Sequence, residues 1–352
     1  MKTPNLFNYA TSELSQDAFL LWLLDWANPV YKDADEQLNA AAQEFVRFLL
    51  DKNKNDLQIE SVKCYKQKYH IDVLAVVNGQ YVLIIEDKTD TKEHGKQIKK
   101  YKEALKKDKN FKGLKLRCVY YKSGNESRHS IEKLSKFYSE PELEISLKTI
   151  LRKDILTLFS PYVNTIKDAI FVDYFNHLQK IENLTNSYQT EPANKWKEEA
   201  WQGFYMELEK QLKMGNWGID YYHKGFRLPL CPITKDKSIQ LYLYLDNSRN
   251  LCIKAICKAK CEPEKDYWED IIKMIKEKMI KEGLHEYLKS IDLKTYDISV
   301  SDGKDIKLCD IKRFQNNKRS MFIHKNLSYV EQRNIIVPQL RELQRQLADK
   351  IK

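Results

Sequence analysis

The chain has 352 residues, 42% of them hydrophobic and 11% aromatic, with few glycines and prolines and a net charge of +10. That is the composition of a folded soluble protein, long enough for about two domains, and its longest apolar run, "AFLLWLL" from Ala18 to Leu24, is far short of the ~20 residues of a membrane span. The excess of Lys and Arg favours a polyanionic partner, foremost nucleic acid.

The opening "MKTPNLFNYATSE" is polar where a secretory signal would be basic and then apolar, so a cytoplasmic protein is expected. Ser15 can cap a helix through "QDAFLLWLLDWAN" to Asn28, ahead of Pro29. A second helix fits residues 35–51, where Leu38, Ala41, Phe45 and Leu49 recur at helical spacing. "LQIESVKC" reads as a strand, and "YHIDVLAVVNGQYVLIIEDKTD" as a hairpin turning at Asn78-Gly79. Residues 93–108 read as a helix and "LKLRCVYY" as another strand. Helix, three antiparallel strands, helix and strand together predict an α/β sheet covered on both faces.

Residues from about 150 to 190 read as mostly helical and end in the polar "NLTNSYQTEPANK". The expected domains are a core over 1–165, a helical connector and linker over 166–192, and an α+β domain over 193–352. The last opens on a helix with Trp201, Phe204, Tyr205, Leu208 and Leu212 in one stripe. "IQLYLYLD" and "LCIKAICKA" form a second hairpin, with Tyr242 and Tyr244 on its more polar face, for packing or for stacking on bases. Helices near 264–282 and 329–349 follow. The seven cysteines include no CxxC pair and read as free thiols, and the seven histidines show no HxxxH or HExxH spacing that would hold zinc.

The first hairpin carries the chemistry. Its second apolar run ends on Glu86, Asp87 and Lys88, and Asp72 lies near the start of the first. Charges at the end of an apolar strand are costly to bury unless paired or bound to metal. Alternation puts Glu86 and Lys88 on one face and Asp87 on the other. Asp72 and Glu86 suit a hard divalent cation, with the Asp87 backbone carbonyl as a further ligand, and Lys88 could position water or stabilise a phosphorane. The same Asp/Glu-x-Lys spacing recurs at Asp90, Asp292, Asp302, Asp305 and Asp310, so context, not spacing, singles out Glu86. On the next helix Gln97 and Tyr101 share a face; Gln97 could orient water or phosphate, or simply be solvated. Lys96, Lys99, Lys100 and Lys106 are candidates for phosphate contacts or merely for a soluble face.

Asp72, Glu86-Asp87-Lys88 and Gln97 to Tyr101 together resemble the PD-(D/E)XK nuclease superfamily, nearest its RecB-like branch, over residues 10–125. "TSELSQDAFLLWLLDWA" is similar to the start of a group of bacterial proteins assigned to that superfamily. The resemblance implies a restriction-endonuclease-like core and a Mg²⁺- or Mn²⁺-dependent nuclease acting on DNA. It makes Glu13 a further metal ligand, and its alternative reading is a carboxylate that favours a helix N-terminus. Ile71 stands where the family name has Pro, and the four-cysteine iron–sulfur pattern of some members is absent, so no cluster is expected. Alternatives are a catalytically silent nucleic-acid-binding subunit and an RNA-directed nuclease. The C-terminal domain would serve specificity, a protein partner or homodimerisation.

A two-residue turn at Asn78-Gly79 would pair Asp72 with Ile85 and point it away from Glu86. A shared metal site requires the other parity, hence a three-residue turn with Gly79 left-handed, or a bulge.

Overall fold

The computed structural model describes residues 4–212 apart from 11, 94, 95 and 144, and beyond them 216–219, 224–232, 239–246, 251–257, 273, 277, 293–296, 305–313 and 337–345. The chain divides into two compact units, one of residues 1–126 and 130–183, the other of 127–129 and 184–352.

In the first, the elements run α1 (Glu13–Trp26), α2 (Glu36–Leu49), β1 (Val62–Lys66), β2 (Val73–Val77), β3 (Tyr81–Lys88), α3 (Gln97–Lys107), β4 (Lys115–Lys122), α4 (Arg128–Tyr138), β5 (Leu147–Leu151), α5 (Arg152–Phe159) and α6 (Ala169–Asn186). The sheet has the order β1-β2-β3-β4-β5, antiparallel from β1 to β3 and parallel from β3 to β5. This is the expected mixed α/β sheet flanked by helices, extended by β5, a strand the sequence pattern does not signal.

Alternation along the strands divides the core in two. Leu74, Val82, Ile84 and Cys118 pack against Ile98, Tyr101 and Leu105 of α3 and Tyr138 of α4. Val73, Ala75, Val77, Leu83, Ile85 and Val119 pack against α1, α2, α5 and α6 through residues such as Leu23, Phe45, Phe159 and Phe171. Both faces of the central strands are largely buried, which explains their unbroken apolar runs.

Three boundaries differ from expectation, each for a local reason. Helix α1 starts at Glu13 with Ser12, not Ser15, at its N-cap, so Glu13 lies in the first turn. Helix α3 starts at Gln97 because Lys96 is left-handed (φ 62°), and the Glu93 carboxylate accepts the Gln97 N–H at 2.6 Å. Strand β1 starts at Val62 rather than Leu57, since the preceding residues bond to a turn. Asn78 Oδ1 accepts the N–H groups of Glu60 and Ser61 at 2.9 and 3.1 Å, and Asn78 Nδ2 donates to the Gln58 carbonyl at 2.7 Å.

That turn sets the register. Val77 pairs with Tyr81 and Val73 with Ile85, leaving a loop of Asn78, Gly79 and Gln80 with Asn78 (φ 52°) and Gly79 (φ 62°) both left-handed. The Gln80 N–H donates to the Val77 carbonyl at 2.9 Å, closing the turn. The three-residue turn is therefore present, and counting outward from Val73–Ile85 brings Asp72 opposite Glu86 on the α3 face.

In the second unit α7 (Glu198–Gln211) buries Trp201, Phe204, Tyr205 and Leu208 as expected. Strands β6 (Asn216–Ile219), β7 (Lys224–Pro232), β8 (Ile239–Asp246), β9 (Leu251–Cys257), β10 (Leu293–Tyr296) and β11 (Asp305–Arg313) form an antiparallel sheet ordered β10-β11-β9-β8-β7-β6. The expected second hairpin is β8–β9. Tyr244 is buried, with the Lys254 ammonium 4.3 Å from its ring centre, and a Cβ at Gly225 would overlap that ring; packing, not base stacking, occupies it. Of the helix expected near 264–282, residues 273 and 277 are described, both helical, and of the one expected over 329–349, residues 337–345 are described and helical. Cys64, Cys118 and Cys252 are free thiols. Among the described residues no helix is long and apolar enough to cross a membrane.

Asn78 should be sensitive twice over, through its backbone and its amide. Asn78→Ala is expected to destabilise the protein by about 1–3 kcal/mol and Asn78→Gly, which tolerates the left-handed backbone, by less; urea unfolding of both variants checks the order.

Candidate active site

The charged residues gather where β3 and β4 end, beyond the carboxyl ends of parallel strands where crevices open in α/β folds. Strand β3 delivers Glu86 and Lys88 to the α3 face and Asp87 to the other. Glu86 and Asp87 are fully buried and Lys88 is 6% exposed. Lys88 Nζ stands 2.5 Å from Glu86 Oε1, 2.8 Å from the Asp87 carbonyl oxygen, 3.7 Å from Asp72 Oδ2 and 3.9 Å from Glu13 Oε2. The four oxygens singled out in the sequence thus surround one ammonium. Asp72 Oδ2 also accepts the Asp87 N–H at 3.1 Å, which fixes the carboxylate against β3.

Glu13 reaches this point from the first turn of α1. Its Oε1 accepts the Thr89 N–H at 3.2 Å and the Thr91 hydroxyl at 2.6 Å, pinning the segment that leaves β3. Tyr101 is buried against Glu86 beneath Gln97, whose Nε2 lies 3.4 Å from the Tyr101 hydroxyl. Of the four lysines, Lys96 stands at the start of α3. Lys99 faces Glu103 at 4.0 Å, Lys100 is exposed, and Lys106 lies ten residues from Lys96, about 15 Å along the helix.

Three neighbours have only a faint mark in the sequence. Gln16 and Asp17, one turn beyond Glu13, are buried polar residues in an apolar helix. Gln16 Nε2 bonds Asp87 Oδ1, and Gln16 Oε1 accepts the Tyr174 hydroxyl at 3.1 Å. Lys122 is the register partner of Lys88 on β4, 1% exposed, and donates to the Thr91 carbonyl at 2.5 Å. Their signal was a polar residue at the edge of an apolar run: Gln16 and Asp17 just ahead of Ala18–Leu24, and Lys122 just after Val119-Tyr120-Tyr121.

Carboxyls outnumber ammonium groups at this strand end: Glu13, Asp72 and Glu86 lie around Lys88, and Asp17 and Asp87 are buried on the opposite face beside Gln16. Burial, and then the Asp72 charge, pushes Glu86 up to about 7 and Asp17 also to about 7. Burial and the charge of Asp17 hold Asp87 well above the usual carboxylate range. For Lys88, burial works against the charge, but Glu86, Asp72 and Glu13 outweigh it and hold the ammonium above its ordinary value. Burial pushes Lys122 down to about 8, with Glu126 and Asp90 opposing.

A divalent cation fits this donor set. All the converging atoms are oxygens, as Mg²⁺ prefers, and the surplus is negative. Neither Glu86 oxygen receives a well-aligned hydrogen bond, although Lys88 and the Tyr101 hydroxyl lie close. A bound ion is one way to satisfy buried oxygens that lack aligned donors. Among the described residues no three His, Cys, Asp or Glu side chains are already closed around a metal-sized point; the ammonium lies between them, and an ion would displace it.

The model of the PD-(D/E)XK nuclease superfamily matches residues 4–202. The chain belongs to that superfamily. No curated protein and no solved structure gives a significant match. The PD-(D/E)XK core accounts for the sheet and for α1 to α6, and the match ends within α7.

The buried carboxyls give this PD-(D/E)XK protein a pH signature. Glu86 and Asp17 keep protons up to about 7 in the fold, whereas in the unfolded chain they give them up near 4. Between those values the folded chain binds more protons, so stability falls as pH rises. Thermal melts in chelator from pH 5 to pH 8 should show a falling Tm, flattened in Glu86→Gln.

Gly124 makes a second test. A Cβ there would lie 2.1 Å from the Thr89 carbonyl oxygen, in the segment held by Glu13. Gly124→Ala is expected to lower stability by about 1–3 kcal/mol, read by denaturant unfolding.

Proposed function

We propose that this protein is a metal-dependent nuclease that hydrolyses phosphodiester bonds, with DNA as its substrate. The observation that carries the reading is the convergence of Glu13, Asp72, Glu86 and the Asp87 carbonyl on the Lys88 ammonium. Gln97 and Tyr101 on the following helix favour placement in the RecB-like branch.

Asp72, Glu86, the Asp87 carbonyl and Glu13 would hold the ion, most naturally Mg²⁺. When bound it lowers the pKa of a water and neutralises charge on the phosphoryl oxygens. Asp72 and Glu86 belong to adjacent strands in fixed register, so their spacing is set by the sheet rather than by a loop. Lys88, held protonated by its carboxylate neighbours, donates to the attacking water or to a non-bridging phosphate oxygen and offsets the charge that builds there. Gln97 orients the same water or the phosphate, and Tyr101 packs under it, which restricts its rotamers. Asp87 directs its side chain to Gln16 on the opposite face, which fixes the strand end so that its carbonyl stays turned to the site. The net charge of +10 favours approach of a polyanion.

The test incubates plasmid, linear duplex, single-stranded DNA and RNA with the protein and Mg²⁺ or Mn²⁺. Wild type should cleave DNA, chelator should abolish cleavage, and Asp72→Ala and Lys88→Ala should each lower the rate by about 10²-fold or more with unchanged melting profiles outside the site's own pH window. Binding without cleavage of any of the four substrates would overturn the reading, and cleavage of RNA alone would reassign the substrate.

A further inference from the structure

Beside the charged centre lies a cavity of about 320 Å³ lined by Lys92, Glu93, Lys96, Glu126, Ser130, Lys133, Leu134 and Phe137. That volume is at the lower end of small-molecule sites, ~300–1,000 Å³. One wall is a stripe of α4: Ser130, Lys133, Leu134 and Phe137 follow the spacing i, i+3, i+4, i+7 and so share a face. Lys92, Glu93 and Lys96, ahead of α3, and Glu126, after β4, complete the lining.

The cavity is tied to the site on two sides. Tyr120, the register partner of Glu86 on β4, donates its hydroxyl to Glu126 Oε2 at 2.6 Å. Glu93 accepts both the Gln97 N–H at 2.6 Å and the Tyr138 hydroxyl at 2.9 Å. Glu126 also accepts the Ser130 hydroxyl at 2.5 Å, so both carboxylates are engaged by the scaffold. The lysines are exposed and differently placed: none of Lys92, Lys96 and Lys133 is paired with a carboxylate among the described residues. Lys96 adopts a left-handed backbone rarely taken by a non-glycine residue, and its ammonium lies 4.9 Å from the centre of the Phe137 ring.

An aromatic ring and an aliphatic side chain, with three exposed ammonium groups and two carboxylates already held by N–H and hydroxyl donors, suit one chemical class: a flat apolar ring joined to a phosphate. We propose that this cavity receives one unstacked nucleotide of a single-stranded segment next to the scissile phosphate. The base lies on Phe137 and Leu134, and its phosphates meet Lys92, Lys96 and Lys133. A base held in a duplex is stacked on both faces and cannot enter. The protein therefore prefers single-stranded or frayed nucleic acid over blunt duplex. The location beside a scissile phosphate rests on the nuclease reading; the binding preference does not.

The experiment measures fluorescence anisotropy in chelator, so that nothing is cut, using a labelled single strand and a blunt duplex of the same sequence. Wild type, Lys133→Glu and Phe137→Ala are compared. Wild type should bind the single strand about tenfold more tightly than the duplex, and Lys133→Glu and Phe137→Ala should each erase most of that preference. Lys133 is exposed, so its variant remains informative if Phe137→Ala fails to fold. Equal affinity for the two probes in wild type, or an unchanged preference in folded Lys133→Glu, overturns the proposal. Single-strand preference lost in Lys133→Glu supports the cavity even where no substrate is cleaved, an outcome that would count against the nuclease reading alone.

Discussion

The register of β2 against β3 is the constraint on which the site depends. Strand β2 reads Val73-Leu74-Ala75-Val76-Val77, apolar at every position, and both of its faces are buried in clusters. Hydrophobicity cannot choose between the two parities, because a slip by one residue exchanges one apolar set for another. The choice falls to the turn, where Asn78 and Gly79 take left-handed backbone and the Asn78 amide grips the chain ahead of β1. With the loop shorter by one residue, Asp72 would face α1, away from Glu86 and Lys88.

The cluster that this register assembles works against the fold in the absence of a cation. Carboxyls gathered in a buried place resist ionisation, as the upward displacement of Glu86, Asp17 and Asp87 records. One ammonium cannot balance them. Burying such a group would be a poor way to stabilise a sheet. A local conflict between polar cluster and apolar core is what a functional centre looks like in an otherwise consistent fold.

How far the sequence was legible follows the same division. Asp72, Glu86 and Lys88 stand out because a charge at the end of an unbroken apolar strand has few bland explanations, and the parity that brings them to one face is a property of the turn. Gln16 and Asp17 were hidden because α1 is apolar on nearly every side, so no polar face drew attention to them. Lys122 repeats on β4 the pattern of Lys88 on β3 and escaped notice through lacking an acidic neighbour two residues before it. Strand β5 is five residues running straight into α5, too short for its period to register. In the second unit only β8 and β9 alternate cleanly, and the rest of that sheet is assembled by pairing between distant strands, which local pattern does not encode.

The bond from Tyr174 to Gln16 spans 158 residues of chain, and Gln16 in turn holds Asp87. The hairpin with Asp72, Glu86 and Lys88 is local and can form early, whereas its support from α6 closes a long loop and comes later. On a ribosome that adds residues from the N-terminus onward, the charged hairpin emerges well before the helix that steadies it. The order of synthesis thus delays completion of the centre until most of the first unit exists, so a truncated or half-made chain carries the motif without the rigid setting that the motif requires.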